Sequence, residues 1–93
     1  MEVVLIRTIH HISLGIIEYY LITNFSDEFP DVEMFGVGIK RLGEDQSFAC
    51  VENVDIDKDR MVEFINCLAD GAVTEETLKD LCENYVDMLT DRS

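Results

Sequence analysis

The sequence predicts an α+β fold, with a four-stranded antiparallel β-meander followed by a C-terminal α-helical hairpin packed on one sheet face. Up to about residue 56 the apolar residues come in short runs rich in β-branched and aromatic side chains, which favour strands. After that point they recur every three or four positions, as in amphipathic helices. A chain of 93 residues suits one core, so we expect a single domain, residues 1–93, with a β-rich half (1–56) and a helical hairpin (57–90).

The strands are expected in four runs. Residues 3–12 and 16–25 are apolar runs separated by a short segment with a glycine, a pattern typical of a β-hairpin. The polar stretch 24–31, which includes Ser26 and a proline, predicts a surface loop. A third strand is expected at about 32–41, then a turn that includes Glu44 and Asp45. The fourth strand, at about 47–54, alternates poorly between apolar and polar residues.

The third strand predicts which sheet face the helices cover. Phe35, Val37 and Ile39 fall on one face, where we expect the helices to pack. Gly36 and Gly38 fall on the other face and indicate a bulge or a close approach by another element. They do not form a phosphate-binding loop, because a third glycine is missing and the pair lies within a strand.

The first helix is expected to begin after Asp57, a residue suited to cap the free amides of the first turn. Ile56 and Met61 are spaced for a hydrophobic staple across this start, and Gly71 is expected to end the helix in a left-handed conformation. The apolar stripe consists of Met61, Phe64, Ile65 and Leu68.

The second helix is expected to begin after Thr74 in the same way, with Val73 and Leu78 as its staple. Glu75 and Glu76 lie in its first turn, where we expect both carboxylates to be solvated. Its apolar stripe consists of Leu78, Leu81, Cys82, Tyr85, Val86 and Leu89.

Charge is the strongest signal in the composition. Twenty acidic and seven basic residues give a formal net charge of −13, most of it in residues 42–93. Such a chain is expected to bind neither nucleic acid, whose affinity depends on Lys and Arg, nor an anionic membrane surface. A solvated surface is the plain interpretation of this charge. The other two interpretations are that the charge binds a basic protein partner or that it imitates the charge of nucleic acid.

The three cysteines form no closely spaced pair, and no signal peptide or membrane span is evident in the sequence. We therefore expect a cytoplasmic protein with reduced thiols.

The segment Asp55–Asp59 alternates aspartates in a way that suits Ca²⁺. The sequence does not match a twelve-residue calcium loop starting at Asp55, because Arg60 stands where glycine is needed and Asn66 where a glutamate is needed. We interpret Asp57 as a helix cap and expect no metal and no cofactor.

Three other candidates carry little chemistry. His10 and His11 are adjacent in a strand and point to opposite faces, so they cannot share a metal. A catalytic pair of His11 with Cys50 would depend on the fold bringing them together. Tyr20 is the aromatic residue that we expect to face a partner or solvent, whereas the other strand aromatics, including Phe29, are expected in the core.

Three segments resemble a family of small clostridial proteins of unknown function. They are the strand 35–39 (FGVGI), the start of the first helix at 53–57 (NVDID) and the start of the second at 73–81 (VTEETLKDL). The resemblance spans about residues 35–89. It supports the architecture and implies no activity or site.

We therefore expect a small, non-enzymatic regulatory or adaptor protein that binds a basic protein partner. The alternative is an acidic decoy that occupies a nucleic-acid-binding surface, and a small enzyme is the third candidate. The sequence leaves the oligomeric state open. The candidate partner-binding residues are carboxylates expected to gather on one outer surface of the helices, namely Asp59, Glu63, Asp70, Glu76, Asp80, Glu83 and Asp87.

Overall fold

The computed structural model describes residues 2–25, 27–28, 30–43 and 47–91, and the side chains of these residues except 47 and 89–91. The elements are β1 (Glu2–His11), β2 (Gly15–Phe25), β3 (Glu33–Leu42), β4 (Ser47–Asp55), α1 (Lys58–Asp70) and α2 (Glu75–Asp91). The expected α+β fold is confirmed. The predictions for Ser26, Phe29, Glu44, Asp45 and the side chain of Leu89 lie outside the described part of the chain.

The sheet is an antiparallel meander in the order β1-β2-β3-β4, so β1 and β4 are its edges. The two central strands pair without interruption. The pairing of β3 with β4 shifts between Phe35 and Val37. Opposite this shift Asn53 has a φ of 57°, in the left-handed region. This bulge is the physical reason for the poor alternation of the fourth strand.

The core lies between the sheet and both helices, as expected. Phe35, Val37 and Ile39 of β3 are buried there beside the alternate residues of β2. The helices contribute Met61, Ile65, Leu68, Ala69, Leu78 and Cys82. The Tyr19 hydroxyl donates a 2.7 Å hydrogen bond to the backbone oxygen of Val73, which ties β2 to the loop between the helices.

The first helix begins as expected. The Asp57 side chain accepts a 3.0 Å hydrogen bond from the amide of Arg60, which confirms the cap. The expected ending is wrong in detail, because Gly71 has a φ of −90°. The left-handed residue is Ala72, with a φ of 50°. Its amide and that of Gly71 still bond back to the last turn.

Three apolar predictions differ from the structure, and one of them is Phe25, which was expected in the core but is 62% exposed. Ile56 is 63% exposed whereas Met61 is fully buried, so the expected staple does not cover Ile56. Val86 is 40% exposed, although it follows the spacing of the α2 stripe. It lines a cleft between α2 and β4.

The first turn of α2 also differs from the prediction, which placed both of its glutamates in solvent. Glu75 is not solvated: its side chain is 12% exposed and lies 3.0 Å from the guanidinium of Arg41 on β3. Glu76, the next residue, is exposed as expected. The Arg41–Glu75 ion pair therefore helps to place the start of α2 over the sheet.

The sheet face away from the helices is named here the open face. Tyr20, Ile22, Gly36 and Gly38 lie on it in the two central strands, since alternate residues point to opposite faces. A Cβ on Gly36 would lie 2.8 Å from the Cα of Glu52, so the expected close approach is present. The neighbour that approaches is the backbone of the β4 bulge.

Candidate functional site

Asp55 is the only described charged or polar side chain among the buried residues, with 4% of its surface exposed. The guanidinium of Arg60 donates two hydrogen bonds of 2.7 Å to its two carboxylate oxygens. The Tyr85 hydroxyl donates a third, at 2.6 Å, and the amide of Asp57 a fourth, at 3.1 Å. The last residue of β4 is thus bound to both helices.

This arrangement fixes the protonation of the cluster. Hydrogen bonds from the Arg60 guanidinium hold the pKa of Asp55 well below its usual range, against the opposing effect of burial. Burial and the bond to Asp55 raise the pKa of Tyr85 to about 12. Asp55 is ionised near neutral pH, with both carboxylate oxygens hydrogen-bonded, and cannot serve as a general acid there. We assign it a structural role.

The calcium-like segment therefore serves the helix start. Asp55 is taken up by Arg60 and Tyr85, and Asp57 caps α1. Within the described ranges no three His, Cys, Asp or Glu side chains converge as a metal site.

A cleft of about 280 Å³ lies between β4 and α2, next to the Asp55 cluster. Apolar atoms of Val51, Val54, Cys82 and Val86 form much of its lining. Burial raises the pKa of the Cys82 thiol to about 11, so it stays protonated and is a weak nucleophile at neutral pH. The cleft is suited to binding an apolar group rather than to covalent chemistry.

Charged residues surround this apolar lining. Glu52 of β4 and Glu83 and Asp87 of α2 contribute carboxylates, and Lys79 contributes one ammonium group. The formal charge of the lining is therefore −2. A cleft with an apolar interior and an acidic border can accept an apolar side chain that has basic neighbours.

All seven predicted carboxylates are exposed, namely Asp59, Glu63, Asp70, Glu76, Asp80, Glu83 and Asp87. The last four are spaced by four, three and four residues and so share one stripe along α2. Two members of that stripe, Glu83 and Asp87, line the cleft.

The carboxylates of α1 are placed differently. Asp70 lies 3.2 Å from the guanidinium of Arg7, a residue of β1. Since β1 and β4 are opposite edges of the sheet, Asp70 lies away from Glu83 and Asp87. The structure brings part of the α2 stripe to the cleft and does not bring Asp70 there.

The histidine candidates have local roles or none. The Nδ1 atom of His11 accepts hydrogen bonds of 3.1 Å from the amides of Ser13 and Leu14, which stabilises the β1–β2 turn. His11 and Cys50 lie on opposite edge strands, about 14 Å apart at the usual strand spacing. They cannot form the catalytic pair considered from the sequence.

Sequence reasoning missed the cleft. Its two sides are about 30 residues apart in the chain, and Val86 was assigned to the buried stripe. The exposed Val86 beside acidic residues on α2 is the signal that marks it.

A family model described as "Family of unknown function (DUF6514)" matches residues 8–88. No curated protein and no solved structure matches the chain. Within the described residues, no helix is long and apolar enough to cross a membrane.

Proposed function

Because the chain belongs to this family of unknown function, we propose from its own geometry that it is a small, non-enzymatic regulatory or adaptor protein. It binds a protein partner at the cleft between β4 and α2. The partner offers an apolar anchor side chain flanked by Lys or Arg. The observation that supports this function most is the apolar recess bordered by Glu83 and Asp87.

The acidic border supplies attraction and orientation. Glu83 and Asp87 are one helical turn apart and exposed, so both can meet basic residues on either side of an anchor. The rest of the chain adds to this field, since the net charge is −13. Such a field accelerates encounter with a basic partner and weakens as salt rises.

The apolar recess supplies the affinity. At about 280 Å³ it is close to the lower limit for small-molecule sites, about 300 Å³. A space of this size suits one or two partner side chains, the kind of anchor that dominates many protein interfaces.

The acidic decoy is the second candidate. The α2 stripe of Glu76, Asp80, Glu83 and Asp87 could imitate a row of phosphates. A decoy needs charge alone, because surfaces that bind nucleic acid are polar and strongly positive. The apolar recess next to the stripe favours the adaptor function.

We also propose where the protein acts and which members of its family it groups with. We place the protein in the reducing cytoplasm, where Cys50, Cys67 and Cys82 stay as the free thiols seen in the structure. We further propose that it groups with the small clostridial members of its family, on the similarity of the three segments named above.

A peptide selection tests the function. A pool of peptides with one central Leu, Met or Phe between Lys and Arg residues is offered to the protein, beside a pool with Glu in place of the basic residues. We expect enrichment from the basic pool only. Binding of an enriched peptide to ¹⁵N-labelled protein is expected to shift the amide signals of Val51, Val54 and Val86 most strongly.

Replacing the peptide's anchor by Ala separates the two candidates. The adaptor function predicts loss of binding, whereas a decoy would bind the Ala peptide equally well. Both candidate functions would be contradicted if no peptide of the basic pool were enriched. They would also be contradicted if the amide shifts were confined to surfaces other than the cleft and the α2 stripe.

A further inference from the structure

The open face of the sheet has apolar side chains that neither helix covers. Val3 and Leu5 of β1 are 46% and 48% exposed, and Phe48 of β4 is 55% exposed. All three belong to this face, because Val3 pairs with Ile22, Leu5 with Tyr20 and Phe48 with Lys40. The apolar surface thus reaches from one edge of the sheet to the other.

The middle of this surface is filled by neighbouring groups, since the backbone of Val51 and Glu52 lies against Gly36. Gly36 and Gly38 have no side chains there, and the ring of Phe48 would lie 3.2 Å from a Cβ on Gly38. Ile22 fills the remaining space and is only 1% exposed. The middle of the open face is therefore apolar and closely packed, as in sheets that stack on one another.

The open face is also close to neutral in a very acidic protein. At the positions whose strand pairing places them on this face, the formally charged side chains are Glu18 and Lys40, which lie directly opposite each other on β2 and β3. Glu18 is further bound by the Tyr20 hydroxyl at 2.9 Å. The paired positions of the face therefore carry no net charge, in contrast to the −13 of the whole chain.

The acidic helices lie on the far side of the sheet. The shortest dimension of the domain is 19 Å. Physiological salt screens charges over about 8 Å, which is less than half of that dimension. Repulsion between the helical carboxylates of two chains would be weak if their open faces met. The same two chains would repel if their helical sides met.

The area is sufficient for a stable contact. Four strands of nine to eleven residues cover roughly 600 Å² at the usual strand spacing and rise. Two such faces would bury roughly 1,200 Å², the lower end of the range for specific protein interfaces.

We infer that the open face binds a second copy of this chain, so that two sheets stack face to face in a two-fold symmetric dimer. A second copy supplies the same apolar surface, with no net charge at its paired positions, which a two-fold axis makes self-complementary. A strongly charged partner would gain nothing from this face, and an anionic membrane would be repelled by the chain as a whole. The inference uses no property of the cleft between β4 and α2, so it is independent of the proposed function.

Charge substitutions on the face test the dimer. Sedimentation equilibrium of the full chain is expected to show a dimer. Leu5→Lys and Phe48→Lys are each expected to raise its dissociation constant about tenfold or more, because each buries an unpaired charge in the dimer. Ile56→Lys is the control, since Ile56 is also an exposed apolar residue, at 63%, but lies beyond the end of β4. It is expected to leave the dimer intact.

The cysteines give a test on the unmodified chain. Cys50 pairs with Gly38 and is exposed on the open face, whereas Cys67 is exposed on α1. As the protein concentration rises, alkylation of Cys50 is expected to slow relative to that of Cys67.

Two results would overturn the inference. One is a chain that stays monomeric at millimolar concentration. The other is a dimer that survives both open-face substitutions and leaves Cys50 reactive. In such a dimer the outer amides of β1 would be protected from hydrogen exchange, which indicates pairing along the sheet edge.

Discussion

The hydroxyl of Tyr85 donates a 2.6 Å hydrogen bond to the carboxylate of Asp55, thirty residues earlier in the chain. Through this bond the last residue of β4 holds α2, while the ion pair with Arg60 holds α1. The Tyr85 ring also stacks on Phe64 of α1, with ring centroids 4.4 Å apart. Tyr85 and Asp55 thereby fix the positions of both helices and of one wall of the cleft.

Tyr85→Phe is the first test of this relationship. Loss of a hydrogen bond to a charged, buried acceptor is expected to lower the free energy of unfolding by about 1.5–3 kcal/mol. Urea denaturation measures it. Tyr20→Phe is the control, because its hydroxyl bonds to Glu18 on the half-exposed open face, and is expected to cost less than about 1 kcal/mol. Equal losses would show that the Tyr85 bond has no special importance.

The pH dependence of stability gives a second prediction. The pKa of Asp55 is lowered in the folded chain from an ordinary value of 3.8, so the ion is favoured by folding. This stabilisation is complete above about pH 4 and is lost as the pH falls toward the lowered folded pKa. The stability difference between the wild type and Asp55→Asn is therefore expected to shrink below about pH 4. A difference that stays constant down to about pH 2 would contradict the assignment.

The two glycines of β3 should respond differently to the same substitution. A Cβ on Gly36 meets backbone atoms of Val51 and Glu52, which cannot rotate away. Gly36→Ala is expected to destabilise by about 1–3 kcal/mol. The nearest atom to a Cβ on Gly38 is the end of the Phe48 ring, at 3.2 Å, which can move. Gly38→Ala is expected to stay within about 0.5 kcal/mol of the wild type, and thermal melts showing the reverse order would contradict this.

Calcium is expected to leave the protein unchanged. Asp55 is saturated by four hydrogen bonds and Asp57 caps the helix. A melting curve in millimolar Ca²⁺ is therefore expected to match the curve in a chelator. A site filled at 100 times its Kd would add about 2.7 kcal/mol, a gain that would require a different role for these aspartates.

The sequence predicted the strands, the helices and the covered sheet face, because each depends on local period and on the residues at element ends. The Asp57 cap is such a local feature, and the structure confirms it. The bond between Asp55 and Tyr85 could not be predicted, since it depends on how α2 crosses β4. The same holds for Val86, whose spacing indicated burial although it is 40% exposed and lines the cleft.

The predicted carboxylates show the same limit. Helical spacing correctly grouped Glu76, Asp80, Glu83 and Asp87 on one stripe. It could not tell that Asp70 would meet Arg7 at the other edge of the sheet. Placement of residues within one helix follows from the sequence, whereas the orientation of two helices over a sheet follows from packing.

The central claim is that the cleft and its acidic border bind a basic partner segment. The most direct test is the association rate constant of an enriched basic peptide, measured over a range of salt concentrations with the wild type and two charge-reversed variants. The first variant, Glu83→Lys with Asp87→Lys, alters the cleft. The second, Asp59→Lys with Glu63→Lys, makes the same change in net charge on α1. The account predicts that only the first variant slows association about tenfold or more and removes most of its salt dependence. Equal slowing by both variants, or by neither, would contradict a binding site at the cleft.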